Sequence, residues 1–153
     1  MDNLHIATAL LGALLLAAAA IDLRTMRIPN ALNLAIAAAG LCATLWLNLP
    51  LGPALVGIAL GYSALFLANQ LYRHMRGRDG IGMGDAKLLA GAGAWGSWSG
   101  LPFVVLIGAA LGLAFVAAMR VSGRALAAQD ALAFGPCLAA GTFIVWCVQA
   151  YAN

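Results

Sequence analysis

The acids of this 153-residue chain number five, all aspartate: Asp2, Asp22, Asp79, Asp85 and Asp130. Asp85 closes a glycine-rich run, Gly80-Ile81-Gly82-Met83-Gly84-Asp85, and leads into Ala86-Lys87-Leu88. Asp22 stands at the end of the first apolar stretch, ahead of Arg24, Arg27 and Ile28-Pro29-Asn30. Two carboxylates brought together can share one proton, because like charges a few ångströms apart do not both ionise cheaply. One then takes a proton from water while the other, protonated, polarises a carbonyl, which is the chemistry of amide hydrolysis. The glycines suit such a site. Without Cβ they permit unusual backbone angles and let an extended substrate come close.

Each acid also has a plainer reading. Asp85 is compatible with capping the helix it opens, where its charge complements the helix dipole. Asp22 falls at a helix C-terminus, where negative charge is opposed by the dipole, and pairing with Arg24 or Arg27 is its alternative. Asp79 ends the basic loop from Arg73 to Asp79 and reads as solvated, Asp130 as a cap opening the last helix, and Asp2 as a polar terminus. Other chemistries find little footing. No Ser-His or Cys-His arrangement is visible, and a Ser-Lys pair with Lys87 has only Ser122 as a weak candidate. Cys42, Cys137 and Cys147 each stand alone in apolar segments, without the spacing of a zinc site or a disulfide framework. Neither metal nor cofactor is expected.

The elements that must position these acids are set by composition. The chain is 64% hydrophobic and only 8% charged, with a mean hydropathy of +0.96. A soluble domain carries about a quarter charged residues, so the reading is an all-α, polytopic membrane protein forming one domain over residues 1–153. Six spans are expected: Leu4 to Ile21, Ala31 to Leu47, a third from the turn at Asn48–Pro53 to Tyr72, then Asp85 to Trp98, Leu101 to Met119 and Leu132 to Tyr151. No basic residue precedes Arg24, so the first run reads as a retained helix and not a signal peptide. All eight Lys and Arg residues then fall in alternate loops on one side. The positive-inside rule makes that side cytoplasmic and puts both termini outside. The net charge of +3 is thereby a topology signal and not a nucleic-acid footprint. Gly57/Gly61 and Gly108/Gly112 are GxxxG pairs that suit close helix packing or reflect the frequency of Gly in membrane helices. Trp46, Trp95, Trp98 and Tyr151 read as an aromatic belt at the outer face.

In its motifs the chain resembles the type IV prepilin peptidases and the related preflagellin peptidases, GxGD-type aspartic proteases of the membrane. The resemblance rests on Asp22 with Ile28-Pro29-Asn30, on Gly82-Met83-Gly84-Asp85-Ala86-Lys87-Leu88, and on Phe134-Gly135-Pro136-Cys137-Leu138-Ala139-Ala140-Gly141. It implies a catalytic pair of Asp22 and Asp85, with Gly82, Gly84, Lys87, Pro29 and Asn30 as substrate-binding or supporting residues. It further implies a prepilin or pseudopilin substrate bearing a basic leader and a hydrophobic helix, cut after a Gly at the cytoplasmic side of the inner membrane, in service of type IV pili or secretion. Many bacterial members also carry CxxC motifs near the N-terminus and methylate the new pilin end with S-adenosylmethionine. Those cysteines do not occur in this sequence, so a short, peptidase-only form is expected, without methyl transfer. A small transporter using the two acids as a proton relay, or a non-catalytic scaffold of a pilus or secretion machine, are the rival readings.

Overall fold

Helix faces decide how this chain folds. In the computed structural model, which describes residues 2–78, 80, 82–122 and 133–152, there are five helical elements. These are α1 (Asp2–Thr25), α2 (Asn30–Trp46), α3 (Leu51–Arg76), α4 (Met83–Val121) and α5 (Gly135–Tyr151). No strand occurs among the described residues. Three helices, α1, α3 and α4, are long and apolar enough to cross a membrane; α2 and α5 are apolar but shorter, at 17 residues each. The protein is a multi-pass membrane protein. Most of its large exposed side chains are Leu, Val, Ile, Phe or Met, as a lipid-facing surface requires.

α4 is the axis of the bundle. At 39 residues and ~1.5 Å per residue, unbroken, it would reach roughly 58 Å, about twice the ~30 Å apolar core of a bilayer. It is not unbroken. Ser97 has φ 55 and ψ −179, a conformation that belongs to glycine, and the chain turns back there. Pro102 then removes the N–H that would bond back to Trp98. The expected break between a fourth helix and a fifth is thus present, one residue before the anticipated end at Trp98.

Small residues set the crossings. A Cβ on Gly57 would run into the Gly93 backbone, and one on Gly61 into Leu89, so α3 lies flush and antiparallel against residues 83–96. Gly100, Val104, Gly108 and Gly112 meet, in that order, Val145, Gly141, Leu138 and Phe134, which sets residues 98–121 antiparallel to α5. Both glycine pairs are therefore packing positions. Residues 88–96 are buried without exception, enclosed by α2, α3 and α5.

Some helix ends differ from expectation. α3 begins at Leu51 with Pro50 as its N-cap, and takes Pro53 into its first turn, where a missing N–H costs nothing. It also runs past Tyr72 to Arg76, its last turn carrying Arg73, His74 and Arg76. Trp95 is not a belt residue. It is 4% exposed, sits edge-on to Trp146 at 5.1 Å, and donates its indole N–H to Ile36 O at 2.9 Å. Gly40 opens the space for that ring, since a Cβ there would lie 2.7 Å from it. Trp46, Trp98 and Tyr151 are exposed as a belt would have them. The anticipated start of the last helix at Leu132, and its cap Asp130, lie outside the described residues, as does Asp79.

Candidate functional site

Asp22 is the last rung of a buried stripe on α1, Ala7, Leu11, Leu15, Ala18 and Asp22. This is the three-to-four-residue spacing of one helix face. The aspartate is 5% exposed, and a carboxylate so placed needs partners. Its partner is not Arg24 or Arg27. Oδ2 accepts the main-chain N–H of Gly135 at 3.0 Å, a residue 113 positions later and the first of α5. α1 then stops at Thr25, Met26 turning to φ 54, and the chain crosses to α2 through Ile28 and Pro29. Ile28, 6% exposed, lies against both glycines that matter. A Cβ on Gly84 would meet it at 3.4 Å and one on Gly135 at 3.0 Å.

Asp85 arrives from the other side. The N-cap of α4 is Gly82, in extended conformation and without a side-chain cap bond. Asp85 is therefore the third residue of the helix and not its cap, although its N–H does bond to Gly82 O at 3.0 Å. Its charge still sits favourably in the first turn. Gly82 borders the acid closely, since a Cβ there would lie 3.2 Å from Asp85 Oδ2. Asn30 opens α2 with Pro29 in the cap position, and its Oδ1 accepts a hydrogen bond from the Lys87 ammonium at 2.6 Å. That bond ties the start of α2 to the first turn of α4.

These pieces meet around one cavity of about 640 Å³ at one end of the bundle. Asp22, Pro29, Asn30, Gly82, Gly84, Asp85 and Lys87 all line it, with Arg27 at its wall. The cavity thus gathers the seven residues that the resemblance implies for the site. Asp85 feels the like charge of Asp22, so the two carboxylates are within mutual electrostatic reach. A space lined by two acids, two cations and two glycines can seat an extended peptide and a water. His5 is far away. It stacks on Tyr151 at 5.6 Å at the opposite end, near a second cavity of about 590 Å³ whose lining includes no acid or base. Among the described residues no three His, Cys, Asp or Glu side chains gather as a metal would need.

Two supporting residues, Asn33 and Asn69, stand outside the motifs, and a third, Gly135, lies in one that came without a role for it. Asn33, 3% exposed, donates from Nδ2 to Gly84 O at 3.2 Å and so holds the glycine loop from α2. Its Oδ1 is buried without a partner. Asn69 accepts the Gly80 N–H at 2.9 Å, while the Tyr72 ring lies so close to Gly80 that a Cβ would fall 2.5 Å from it. Gly135 holds Asp22. The signal for the two asparagines was present, since a polar side chain inside an apolar helix is costly and marks a role.

The profile of the type IV leader peptidases, Peptidase_A24, matches residues 9–117, most of the chain. The chain belongs to that family. The matched stretch contains both Asp22 and Asp85 and stops short of Gly135. Among curated relatives, a prepilin leader peptidase/N-methyltransferase of Burkholderia pseudomallei (strain 1026b) is 45% identical over 132 residues, covering 86% of this chain and 42% of the relative. One of Dickeya chrysanthemi is 43% identical, covering 86% and 48%, and one of Neisseria gonorrhoeae 34% identical, covering 90% and 46%. The chain therefore spans less than half the length of these relatives. No solved structure matches.

Proposed function

We propose that this chain is a membrane endopeptidase that removes the leader of type IV prepilins or pseudopilins, with Asp22 and Asp85 as its catalytic pair. The observation that carries the reading is that two acids on separate helices line one cavity, in a chain of the leader peptidase family. In the reaction, one carboxylate takes a proton from water as the water oxygen bonds to the scissile carbonyl carbon. The other, protonated, donates to the carbonyl oxygen. The tetrahedral intermediate then expels the amine, which leaves with a proton returned by the pair. Gly82 and Gly84 give the substrate backbone room, and the Lys87–Asn30 bond fixes the wall beside them.

We read Met83–Val121 as two spans divided at Ser97, giving six in all, with the acids at the cytoplasmic edge of the inner membrane and both termini outside. Support comes from the basic residues at the helix ends nearest the acids, Arg24, Arg73, Arg76 and Arg120. The cut lies where a polar leader meets an apolar helix, and a cavity at the membrane edge suits that junction.

The deciding experiment mixes the purified protein with a prepilin bearing a basic leader and follows its shortening on a gel. Cleavage is expected, and Asp22→Asn and Asp85→Asn are each expected to abolish it while keeping the fold. Cleavage by either variant would sink the paired-acid assignment.

A further inference from the structure

The two acids are not equivalent. Asp22 is buried, and its Oδ2 is bonded at 3.0 Å to a main-chain N–H at the start of a helix. Asp85 is half-exposed, and no donor among the described residues reaches its carboxylate. At the start of α5 the donors are few. Pro136 has no N–H, and those of Cys137 and Leu138 both return to Phe134 O, at 3.0 and 3.1 Å. Gly135 is thus the donor that α5 presents to Asp22. It must also be glycine: a Cβ would stand 2.6 Å from Asp22 Oδ2 and 3.0 Å from its Cγ.

We propose that Gly135 is a positioning residue, its N–H and the α5 N-terminus holding Asp22 as the carboxylate that takes the proton from water, with Asp85 as the proton-bearing partner. A donated N–H and the positive end of a helix dipole both favour a charged oxygen over a protonated one. With Oδ2 engaged, Oδ1 is the oxygen left to receive the proton. Among the described residues, the other ionisable groups around the cavity are Asp85 and Lys87 from α4 and Arg27 from the α1–α2 crossing. α2 and the first turn of α5 bring no charge. Phe134-Gly135-Pro136 thereby acquires a task. Phe134 closes against Gly112, Gly135 donates, and Pro136 starts the helix without a competing donor.

This assignment rests on the peptidase reading, and two measurements keep the two apart. Prepilin cleavage by Gly135→Ala is expected to show kcat lowered by about a hundredfold or more, as for the loss of a group acting on the reacting atoms, with KM within about twofold. If wild type cleaves and Gly135→Ala matches it in kcat, the positioning role is overturned while the peptidase stands; if wild type does not cleave, the peptidase reading fails first. The second measurement does not need that variant to fold. Phe134-Gly135 is the only Phe-Gly step in the chain, so 13C-carbonyl phenylalanine with 15N-glycine gives one amide resonance in the intact wild-type protein. That resonance is expected to titrate with an ionisation that disappears in Asp22→Asn and persists in Asp85→Asn. A resonance indifferent to Asp22→Asn would overturn the proposal.

Discussion

A single buried amide sets the shape of the glycine loop. Asn33 spends Nδ2 on Gly84 O and leaves Oδ1 buried without a partner among the described residues. A polar group orphaned in this way costs about 1–3 kcal/mol, so its retention argues for the bond on its other side. Asn33→Ala removes the orphan but frees the Gly84 carbonyl. Little change in thermal stability is expected, together with cleavage slowed by about tenfold, the rate equivalent of ~1.4 kcal/mol. Comparing melting temperature and kcat for this variant checks both halves. At this scale the sequence was partly legible. The scarcity of acids left few competitors to Asp22 and Asp85, the pair that the resemblance implies, and both line the cavity. Gly135 could not be chosen, because its role is a main-chain bond across 113 positions and no side chain announces it. Trp95 was misread since a tryptophan near a helix end usually sits at the lipid interface, whereas here Gly40 makes a hole for it.

Between elements, contact is made by what is missing. Gly57 and Gly93 bring α3 and α4 together backbone to backbone, the close approach that stands in for a hydrophobic drive within lipid. Gly57→Ala is expected to cost about 1–3 kcal/mol through overpacking, read as a lowered unfolding midpoint in detergent. Ser97 offers the opposite sign. Its φ of 55 with ψ of −179 is strained by an amount on the order of 1–3 kcal/mol for a residue with Cβ. Ser97→Gly is therefore expected to raise the melting temperature by a few degrees without affecting cleavage, because the corner lies at the far end from the acids. Helix existence was readable from apolar run length. Helix ends were not, because charged turns such as Arg73–Arg76 extend a helix beyond its apolar stretch.

For the molecule as a whole, the chain runs to and fro so that the α1–α2 crossing, the start of α4 and the start of α5 reach one end. This up-and-down course follows from hydrophobic runs and short loops. The sidedness is proposed from the charge pattern. On the proposed topology, single cysteines at Ser122 and at Ser99, in a protein cleared of its native thiols, are expected to react with a membrane-impermeant maleimide from opposite faces of sealed inner-membrane vesicles. Labelling of both from one face would overturn the six-span arrangement. Asp79→Asn and Asp130→Asn are expected to retain cleavage, since neither belongs to the proposed pair.

The bond between Asp22 and Gly135 also has a consequence in time. Translation delivers α1 first and α5 after α4, so a growing chain holds both aspartates before the N–H that bonds one of them exists. On the proposed reading the active centre is completed by the arrival of the final described helix. On that reading, full catalytic power comes to a nascent chain, still surrounded by other unfinished membrane proteins, only once its synthesis has passed Gly135.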